Sequence, residues 1–322
     1  LIYGLLGGFW AVSITDTIQG AMMALVAVVL PVLALIAAGG PGGVAETLSA
    51  TMAPAYTDPF GGRAGLLFMG FAVGIASIGL GTFGQPHLLA RLMAVKDETA
   101  RRQGFIVAMG WGVLVYIGMA TLALSGRALL GGLEDPEALL YEVAGALLPP
   151  VLAGIVIAAI LSAVMSTVDS LLVAASAAAA HDLRIVRLLK GREVLVSRVV
   201  MASICAVAVV LTLSLPATVF DRVLFSWSAL GAAFGPVVVA RVAGLEPHGP
   251  AIVLAILLGF FTTVTFYVFG QIGPVDDRTR LAAALASLAA LPGDPFERVV
   301  PWIAPLLICF LWRSPARTGS PA

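Results

Sequence analysis

One apolar segment of membrane length, residues 151–180, contains a group of polar residues suited to cation binding: Ala163-Val164-Met165-Ser166-Thr167-Val168-Asp169-Ser170. On a helix, positions 163, 166, 167 and 170 follow the spacing i, i+3, i+4, i+7 and share one face, which Asp169 borders. Hydroxyls, carbonyls and a carboxylate are ligands of hard cations. Because a charge at bilayer depth costs roughly 3 kcal/mol, the pattern indicates an ion or proton site. A structural salt bridge or a neutral acid at Asp169 is the alternative.

Asp16 is a second acidic residue in an apolar span, within Ser13-Ile14-Thr15-Asp16-Thr17-Ile18-Gln19. Because Gln19 follows Asp16 by three residues, the pair resembles a capping box, and one interpretation of Asp16 is a helix N-cap. A role as a cation ligand is compatible with that interpretation.

A third polar group interrupts another apolar span, at Ile78-Gly79-Leu80-Gly81-Thr82-Phe83-Gly84-Gln85-Pro86-His87. Pro86 lacks an amide hydrogen and crowds the Thr82 carbonyl, and the three glycines weaken the helix around it. We therefore expect a break or kink in this span. Irregular backbone at membrane depth is tolerated where it lines a cavity or binds a ligand. A kink for close helix packing is the alternative.

The elements that must position these residues are membrane helices. The 322-residue chain is 60% hydrophobic and 11% charged, with a mean hydropathy of +1.04, whereas soluble domains carry roughly 25% charged residues. A formal net charge of zero gives no indication of nucleic-acid binding. Cys205 and Cys309 lie in apolar stretches without ligand-like spacing, which argues against a disulfide framework or a metal site. The composition predicts an all-α polytopic membrane protein.

A length of about 20 apolar residues per bilayer crossing divides the chain into spans. A truncated apolar tail (1–12), a short apolar segment (299–312) and an Ala-rich interfacial helix (280–291) accompany the full-length spans. Because Leu1 opens inside an apolar run, without a basic region or a cleavage site, we expect a fragment of a longer protein. The predicted full-length spans are 15–38, 65–93, 105–125, 147–180, 194–215, 219–240 and 251–269.

Alternate loops differ in charge, and this difference predicts the orientation. One side collects 12 of the 18 Lys and Arg residues, and by the positive-inside rule that side and the carboxyl terminus are cytoplasmic. We expect the plasma (inner) membrane. The basic side has Arg91, Lys96, Arg101, Arg102, Arg184, Arg187, Lys190, Arg192, Arg198, Arg241, Arg313 and Arg317; the opposite side has Glu46, Asp58, Glu134, Asp135, Glu137, Glu142, Asp221, Asp276, Asp277, Asp294 and Glu297.

Four sequence blocks together resemble the sodium:solute symporter family, and its sodium/proline symporters are the nearest match. The blocks occur in the family's order and extend from the start of the chain to about Ala240. They are Gly7-Gly8-Phe9-Trp10-Ala11-Val12-Ser13-Ile14-Thr15-Asp16-Thr17-Ile18-Gln19, Gly81-Thr82-Phe83-Gly84-Gln85-Pro86-His87, residues 163–170 with His181-Asp182-Leu183, and Gly231-Ala232-Ala233-Phe234-Gly235-Pro236-Val237-Val238.

The resemblance implies an inverted-repeat fold of the leucine-transporter type, in an incomplete form within a single membrane domain (1–322). On that template residues 1–38 end the first repeat, with 1–12 as the end of the fourth core helix and 15–38 as the fifth. Residues 65–240 form the second repeat, and 251–312 are accessory helices. The first core helices, which in this family contribute carbonyls to the sodium site and contacts to the substrate, are expected to precede this chain.

The resemblance also implies sodium-coupled symport of a small organic solute, with Na⁺ as the coupling ion. The sodium site would consist of the Ala163 carbonyl and the hydroxyls of Ser166 and Thr167. Asp169 stands where relatives can have a hydroxyl, so an added carboxylate either strengthens cation binding or lets a proton substitute. A second sodium site would use Asp16, Ser166, Asp169 and Ser170.

The substrate positions implied by the resemblance lie in the broken span. An aromatic pair of the proline carriers matches Ile78 and Thr82, and a proline matches Pro86; Gln85 adds a polar group at the same break. The resemblance implies an amino acid such as proline as the substrate, and because both aromatics are replaced here, another amino acid or another small carboxylate is the alternative.

Two other classes of function were weighed against transport. A membrane-embedded hydrolase would use Ser166 or Ser170 with Asp169 and a histidine, but no Gly-x-Ser-x-Gly surrounds the serines, so we expect no enzyme. A symporter-like sensor domain is the other alternative, although only ten residues follow Trp312. The expected partners are the lipid bilayer and a small-molecule substrate, with no obligate protein partner and no nucleic acid.

Overall fold

The computed structural model describes residues 2–179, 193–214, 218–272 and 280–313, and their regular structure is helical apart from one isolated bridge between Pro247 and Arg313. A 3-10 segment, Ser77–Gly84, separates α4 from α5, and a 3-10 turn, Pro136–Ala138, precedes α7. The helices are α1 (Ile2–Ala37), α2 (Gly40–Thr51), α3 (Pro54–Thr57), α4 (Gly65–Ala76), α5 (Pro86–Met93), α6 (Glu98–Leu130), α7 (Leu139–Leu147), α8 (Pro150–Ala177), α9 (Glu193–Ser214), α10 (Val219–Val242), α11 (Gly249–Ile272), α12 (Arg280–Ala289) and α13 (Pro295–Leu311).

The predicted polytopic membrane character is confirmed. Within the described residues, seven helices are long and apolar enough to cross a bilayer, and each corresponds to one predicted span. They are Val12–Ala37, Gly65–Gly84, Glu98–Leu130, Pro150–Ala177, Val194–Ser214, Val219–Val242 and Gly249–Ile272.

The prediction of two elements within residues 1–38 is wrong, because α1 runs without interruption through Val12 and Thr15. The hydroxyl of Thr15 donates to the Val12 carbonyl at 3.0 Å, and the hydroxyl of Thr17 donates to the Ser13 carbonyl at 2.9 Å. Short polar side chains that bond back to the preceding turn are compatible with a continuing helix. Asp16 is therefore inside a helix, and its interpretation as an N-cap is also wrong.

Several helix boundaries differ from the hydropathy prediction for local reasons. Helix α6 starts at Glu98 instead of 105 because Asp97 caps it, its Oδ1 accepting the Ala100 amide at 2.8 Å. Helix α8 starts at Pro150 instead of 147, with proline in its first turn. Helices α2 and α3, in a stretch expected to be loop, also start with proline in the first turn. Hydropathy detects only the apolar part of a helix, so it missed the polar first turns of α6, and it does not register the proline that begins α8.

The chain divides into two compact units, and the first comprises Leu1–Gly62 and Leu92–Leu211. In this unit α1 packs against α6 and α8, and α7 packs against α6 and α8. Its aliphatic core takes residues from all four helices: Val26, Leu30, Ala34, Leu122, Val143, Ala144, Val156 and Ala159. Because α1 and α8 pack against each other around this core, the predicted polar positions lie on two helices that are in contact.

The second unit comprises Arg63–Arg91 and Thr212–Ala322. In it α10 packs against the 3-10 segment, α11 and α13, while α13 also contacts α4 and α12. The predicted break is confirmed, because the α-helix stops at Ala76, tightens into the 3-10 segment and restarts at Pro86 after an extended Gln85. The Ala-rich stretch forms α12, as expected.

Some expectations fall on residues that the structure does not describe. The His181-Asp182-Leu183 block, most of the predicted basic loop at 182–198, the acidic residues Asp276 and Asp277, and Arg317 lie outside the described residues.

Candidate functional site

The polar face predicted on α8 is partly buried. Asp169 and Ser170 expose only 3% and 8% of their surface, in a helix whose other buried residues are mostly aliphatic or small. Ser166 and Ala163 are half-buried, and Thr167 is exposed. Buried carboxylate and hydroxyl groups in a membrane helix are costly unless they have polar partners or bind an ion.

Ser170 links this face to Asp16 on α1. Its hydroxyl lies 3.3 Å from Oδ2 of Asp16 and 2.9 Å from the Ser166 carbonyl, so it can donate to either acceptor. A serine hydroxyl has one donated hydrogen and two lone pairs. Donation to Ser166 leaves the two lone pairs of the hydroxyl oxygen facing outward from that bond, and donation to Asp16 joins the two helices directly. The structure therefore brings together two residues of the predicted second cation site from two helices.

The remaining predicted cation ligands are arranged along α8 itself. The Thr167 hydroxyl donates to the Ala163 carbonyl at 3.3 Å, so these two groups are adjacent and satisfy each other. Ala163 also borders an aliphatic cavity of about 160 Å³ formed by residues of α1, α6, α7 and α8. A cation bound at Ala163 and Thr167 would replace this internal hydrogen bond.

Gln19 is a buried polar residue of α1 that was not among the predicted site residues. This residue is 8% exposed, and its Oε1 is buried without a hydrogen-bond partner among the described residues. It follows Asp16 by three residues and so lies on the same face of α1. The sequence did not predict this burial, because the spacing of Gln19 from Asp16 resembles a capping box. The structure instead places a buried amide acceptor one helical turn from the Asp16 carboxylate.

The broken helix is held by side chains that bind its backbone carbonyls. The Trp227 indole on α10 donates to the Ile78 carbonyl at 3.0 Å, and the Gln85 amide donates to the Gly81 carbonyl at 3.1 Å and the Trp227 carbonyl at 3.5 Å. Backbone carbonyls released by a 3-10 or broken helix need such donors at membrane depth. These bonds stabilise the irregular segment against α10.

Close backbone contact seats the same segment on α10. A Cβ added at Gly81 would overlap the Trp227 ring, and a Cβ added at Gly231 would lie 2.5 Å from the Gly81 Cα. Only glycine allows the two backbones to approach this closely. Of the three glycines expected to weaken this helix, Gly81 and Gly84 therefore also form a packing surface against α10, whereas Gly79 has no atom within 4 Å of an added Cβ.

The four predicted substrate residues differ in accessibility. Gln85 is 2% exposed and bonded to the backbone as described, whereas Thr82 and Pro86 are exposed and Ile78 is half-buried. In this structure Gln85 serves the integrity of the break, and Thr82 and Pro86 present accessible side chains. The substrate assignment itself stays a prediction.

Ser170 and His87 are two residues that the hydrolase alternative would use. The Ser170 hydroxyl contacts a carboxylate and a backbone carbonyl. His87, on α5, has a buried Nδ1 without a hydrogen-bond partner in the described part of the chain.

Comparison with known proteins gives a consistent result. A family model described as the sodium:solute symporter family matches residues 1–243. Similar proteins include the osmoregulated proline transporter OpuE of Bacillus subtilis, 27% identical over 99% of this chain and 63% of its own length. The sodium/proline symporter of Escherichia coli is 32% identical over 85% of this chain and 56% of its own length.

A third relative extends the pattern. The high-affinity proline transporter PutP of Bacillus subtilis is 34% identical over 73% of this chain and 50% of its own length. The chain thus spans between half and two thirds of the relatives it matches.

Proposed function

The chain belongs to the sodium:solute symporter family, and from this membership we propose that it carries the core of a sodium-coupled symporter for a small organic solute. An amino acid such as proline fits the named substrates of the relatives; another small carboxylate is the second candidate. The observation that carries the proposal is the hydrogen bond between Ser170 on α8 and Asp16 on α1. It joins a carboxylate and a hydroxyl from two membrane helices, a pairing suited to a hard cation.

The proposed fold is the inverted-repeat architecture of the leucine-transporter type. We assign the continuous α1 to the end of the first repeat, residues 65–240 to the second repeat, and 251–312 to accessory helices. The break between α4 and α5 supports this assignment, because discontinuous helices of this kind form the binding sites of such transporters. The basic loops and the carboxyl terminus would face the cytoplasm, in the plasma membrane.

The proposed ion sites follow the polar faces of α1 and α8. One Na⁺ would bind the Ala163 carbonyl and the hydroxyls of Ser166 and Thr167. A second cation would bind Asp16, Asp169 and Ser170 with Ser166, and the buried Gln19 amide oxygen is a further acceptor beside it. Two carboxylates in this second site would also allow a proton to substitute for Na⁺.

The proposed substrate site lies at the break, next to Ile78, Thr82, Gln85 and Pro86. Irregular backbone there leaves polar groups at membrane depth for the solute, while the accessible Thr82 and Pro86 shape the pocket. Coupling requires that sodium and solute prefer the same state, because a ligand shifts a conformational equilibrium only by its differential affinity. Sodium on α8 would favour the outward-facing state, and its release to the cytoplasm would open the inner path.

The sodium site is tested with Ser166→Ala combined with Thr167→Ala in the full-length protein. We expect a higher sodium concentration for half-maximal uptake at unchanged protein abundance, because both hydroxyl ligands are gone. Thr121→Ala combined with Ser203→Ala is the matched control, since those hydroxyls are exposed and bond their own helices. Uptake with an unaltered sodium dependence in the first variant would show the assignment to be wrong.

The substrate is identified by uptake of a labelled panel that includes proline, other amino acids and small carboxylates. Sodium and lithium are varied in each measurement. Sodium-dependent accumulation of one class identifies it, and absence of any sodium-driven uptake contradicts the proposed function.

A further inference from the structure

Arg298, in the first turn of α13, is a buried cation that binds the broken helix through its backbone. The residue is 5% exposed. Its Nη1 donates to the Gly74 carbonyl at 3.3 Å and to the Gly293 carbonyl at 3.0 Å, and its Nη2 donates to Oδ2 of Asp294 at 2.7 Å. We call Arg298 with these three acceptors the Arg298 clamp. A planar guanidinium is suited to it because its donors point in fixed, divergent directions.

Backbone contacts give the clamp a defined geometry. A Cβ added at Gly74 would overlap the Gly293 carbonyl. Gly293 has a φ of +84°, and a Cβ added there would lie 2.8 Å from the Phe71 carbonyl oxygen. The turn before α13 therefore lies directly on α4. Asp294 has a left-handed φ of +50°, which aspartate tolerates better than most residues. Its carboxylate caps no amide of α13 and instead accepts from Arg298.

The Gly74 carbonyl belongs to a row of three carbonyls that side chains bind along the broken helix. Arg298 binds Gly74, Trp227 binds Ile78, and Gln85 binds Gly81. These carbonyls follow the spacing i, i+4, i+7 and lie on one face. Arg298 acts at the last α-helical turn before the 3-10 segment, one turn ahead of Ile78. A shift of α4 relative to α13 would therefore move Ile78 and Thr82.

We propose that Arg298 is a positioning residue for the transported solute: by fixing α4 against the turn before α13, it fixes the register of the 3-10 segment that carries Ile78 and Thr82. The proposal rests on the proposed transport function. Arg298 does not touch the solute in this scheme; it acts through the backbone of the helix that does.

The charges around the clamp determine which substitution tests it. A cavity of about 200 Å³ beside Arg298 is lined by Asp221, Asp294 and Glu297 as well as aromatic residues. A neutral residue at 298 would leave these carboxylates without their buried counter-charge. Arg298→Lys keeps the charge but replaces the forked guanidinium by one ammonium, so it removes the bridge between Gly74 and Gly293 selectively.

The first readout is the kinetics of solute uptake by the full-length protein. We expect Arg298→Lys to raise KM about tenfold with Vmax per carrier changed less than about twofold, because the pocket is displaced while the transport cycle remains intact. Arg280→Lys, at an exposed position on α12, is the matched control and should leave KM unchanged. Asp294→Asn keeps a residue that tolerates left-handed φ and should raise KM by a smaller factor than Arg298→Lys. It replaces Arg298→Lys as the test variant if Arg298→Lys does not fold.

The second readout measures the clamp without transport. A Cβ added at Gly70 would lie 3.9 Å from Cγ of Pro295, so Gly70→Cys with Pro295→Cys should cross-link on oxidation in a background of Cys205→Ala and Cys309→Ala. Arg298→Lys should slow this cross-linking at least about fivefold.

The outcomes are distinguishable. A raised KM together with slowed cross-linking supports the proposal. Unchanged KM and cross-linking overturn it, and so does a loss of abundance at unchanged KM, which would show a merely structural role. If the unaltered protein shows no sodium-driven uptake, the proposed function fails, while cross-linking still reports whether Arg298 holds α4.

Discussion

The polar cluster of α1 and α8 and the broken helix of the second unit use polar groups in opposite ways. In the cluster, side-chain oxygens of Asp16 and Ser170 meet within a membrane helix pair, with the acceptor of Gln19 one turn away. At the break, the side chains of Trp227, Gln85 and Arg298 donate to backbone carbonyls. On the proposed function the first region offers acceptors to an ion, whereas the second supplies donors that keep an irregular helix stable.

Polar residues at membrane depth therefore have different structural roles in the two regions. Carboxylate and hydroxyl oxygens are ligands of hard cations, whereas donors matched to carbonyls compensate for broken backbone hydrogen bonds. Substitutions of the donors in the second region should therefore act on the stability or the position of the broken helix, and those in the first region on ion dependence. The following experiments test that distinction.

Gly81→Val should have the largest effect. An added side chain would overlap the Trp227 ring, so we expect destabilisation of about 3 kcal/mol or more and loss of folded protein. Thermal unfolding of purified protein in detergent, with expression level, measures it. Gly79→Val is the control in the same 3-10 segment, because nothing lies within 4 Å of a Cβ there. Equal stability of the two variants would contradict the packing role of Gly81.

Asp16→Asn should leave folding nearly unchanged but raise the sodium concentration for half-maximal uptake about tenfold, since a carboxylate ligand becomes neutral. Sodium titration of uptake by the full-length protein measures this change. Glu46→Gln, an exposed position on α2, is the control. A pure loss of stability, without a change in sodium dependence, would place Asp16 with the structural polar groups of the other region.

Gln85→Leu separates structure from substrate binding at the break. Removing the amide leaves the carbonyls of Gly81 and Trp227 without this donor, and we expect a loss of about 1–3 kcal/mol of stability. Thr82→Val, at an exposed position, should instead change KM with little effect on unfolding. Normal stability with an altered KM in Gln85→Leu would show that Gln85 acts in the substrate site and is not needed to stabilise the break.

Glu297→Gln should have the smallest effect, visible in the pH dependence of stability. Glu297 lies in the first turn of α13, before the apolar segment predicted to begin at 299. Burial, and then the Asp294 charge, raise its pKa from 4.5 to about 7. The folded protein therefore holds a proton that the unfolded chain has released, so stability falls as pH rises between about 4.5 and 7. Melting temperatures between about pH 5 and pH 8 should decline less in the variant; parallel curves would contradict this.

Much of the architecture could be predicted from the order of residues. Apolar runs predicted the membrane spans, and Pro86 with its neighbouring glycines predicted the break, because bilayer thickness and proline stereochemistry act locally. The polar face of α8 was predicted for the same reason, since helical periodicity places 163, 166, 167 and 170 together. The helix starts at Glu98 and Pro150 were missed because hydropathy registers neither the Asp97 cap nor a proline in the first turn.

Other features required the packed structure. Asp16 was interpreted as a possible cap, yet it lies inside a continuous α1, and only the packing of α1 on α8 brings it to Ser170. The sequence predicted Gln85 at the substrate site, and only the structure shows that its amide also donates to the backbone carbonyls of Gly81 and Trp227.

Local composition and periodicity are enough to locate the membrane helices, the break in one of them and the polar face of α8. Which polar groups meet depends on tertiary packing, which pairs Asp16 with Ser170 across 154 positions and Arg298 with Gly74 across 224. Such partners are chosen by packing between distant helices. Gly74 and Gly81 allow such distant segments to approach closely. Their packing roles follow from the position of the neighbouring backbone and side chains, which the sequence alone does not give.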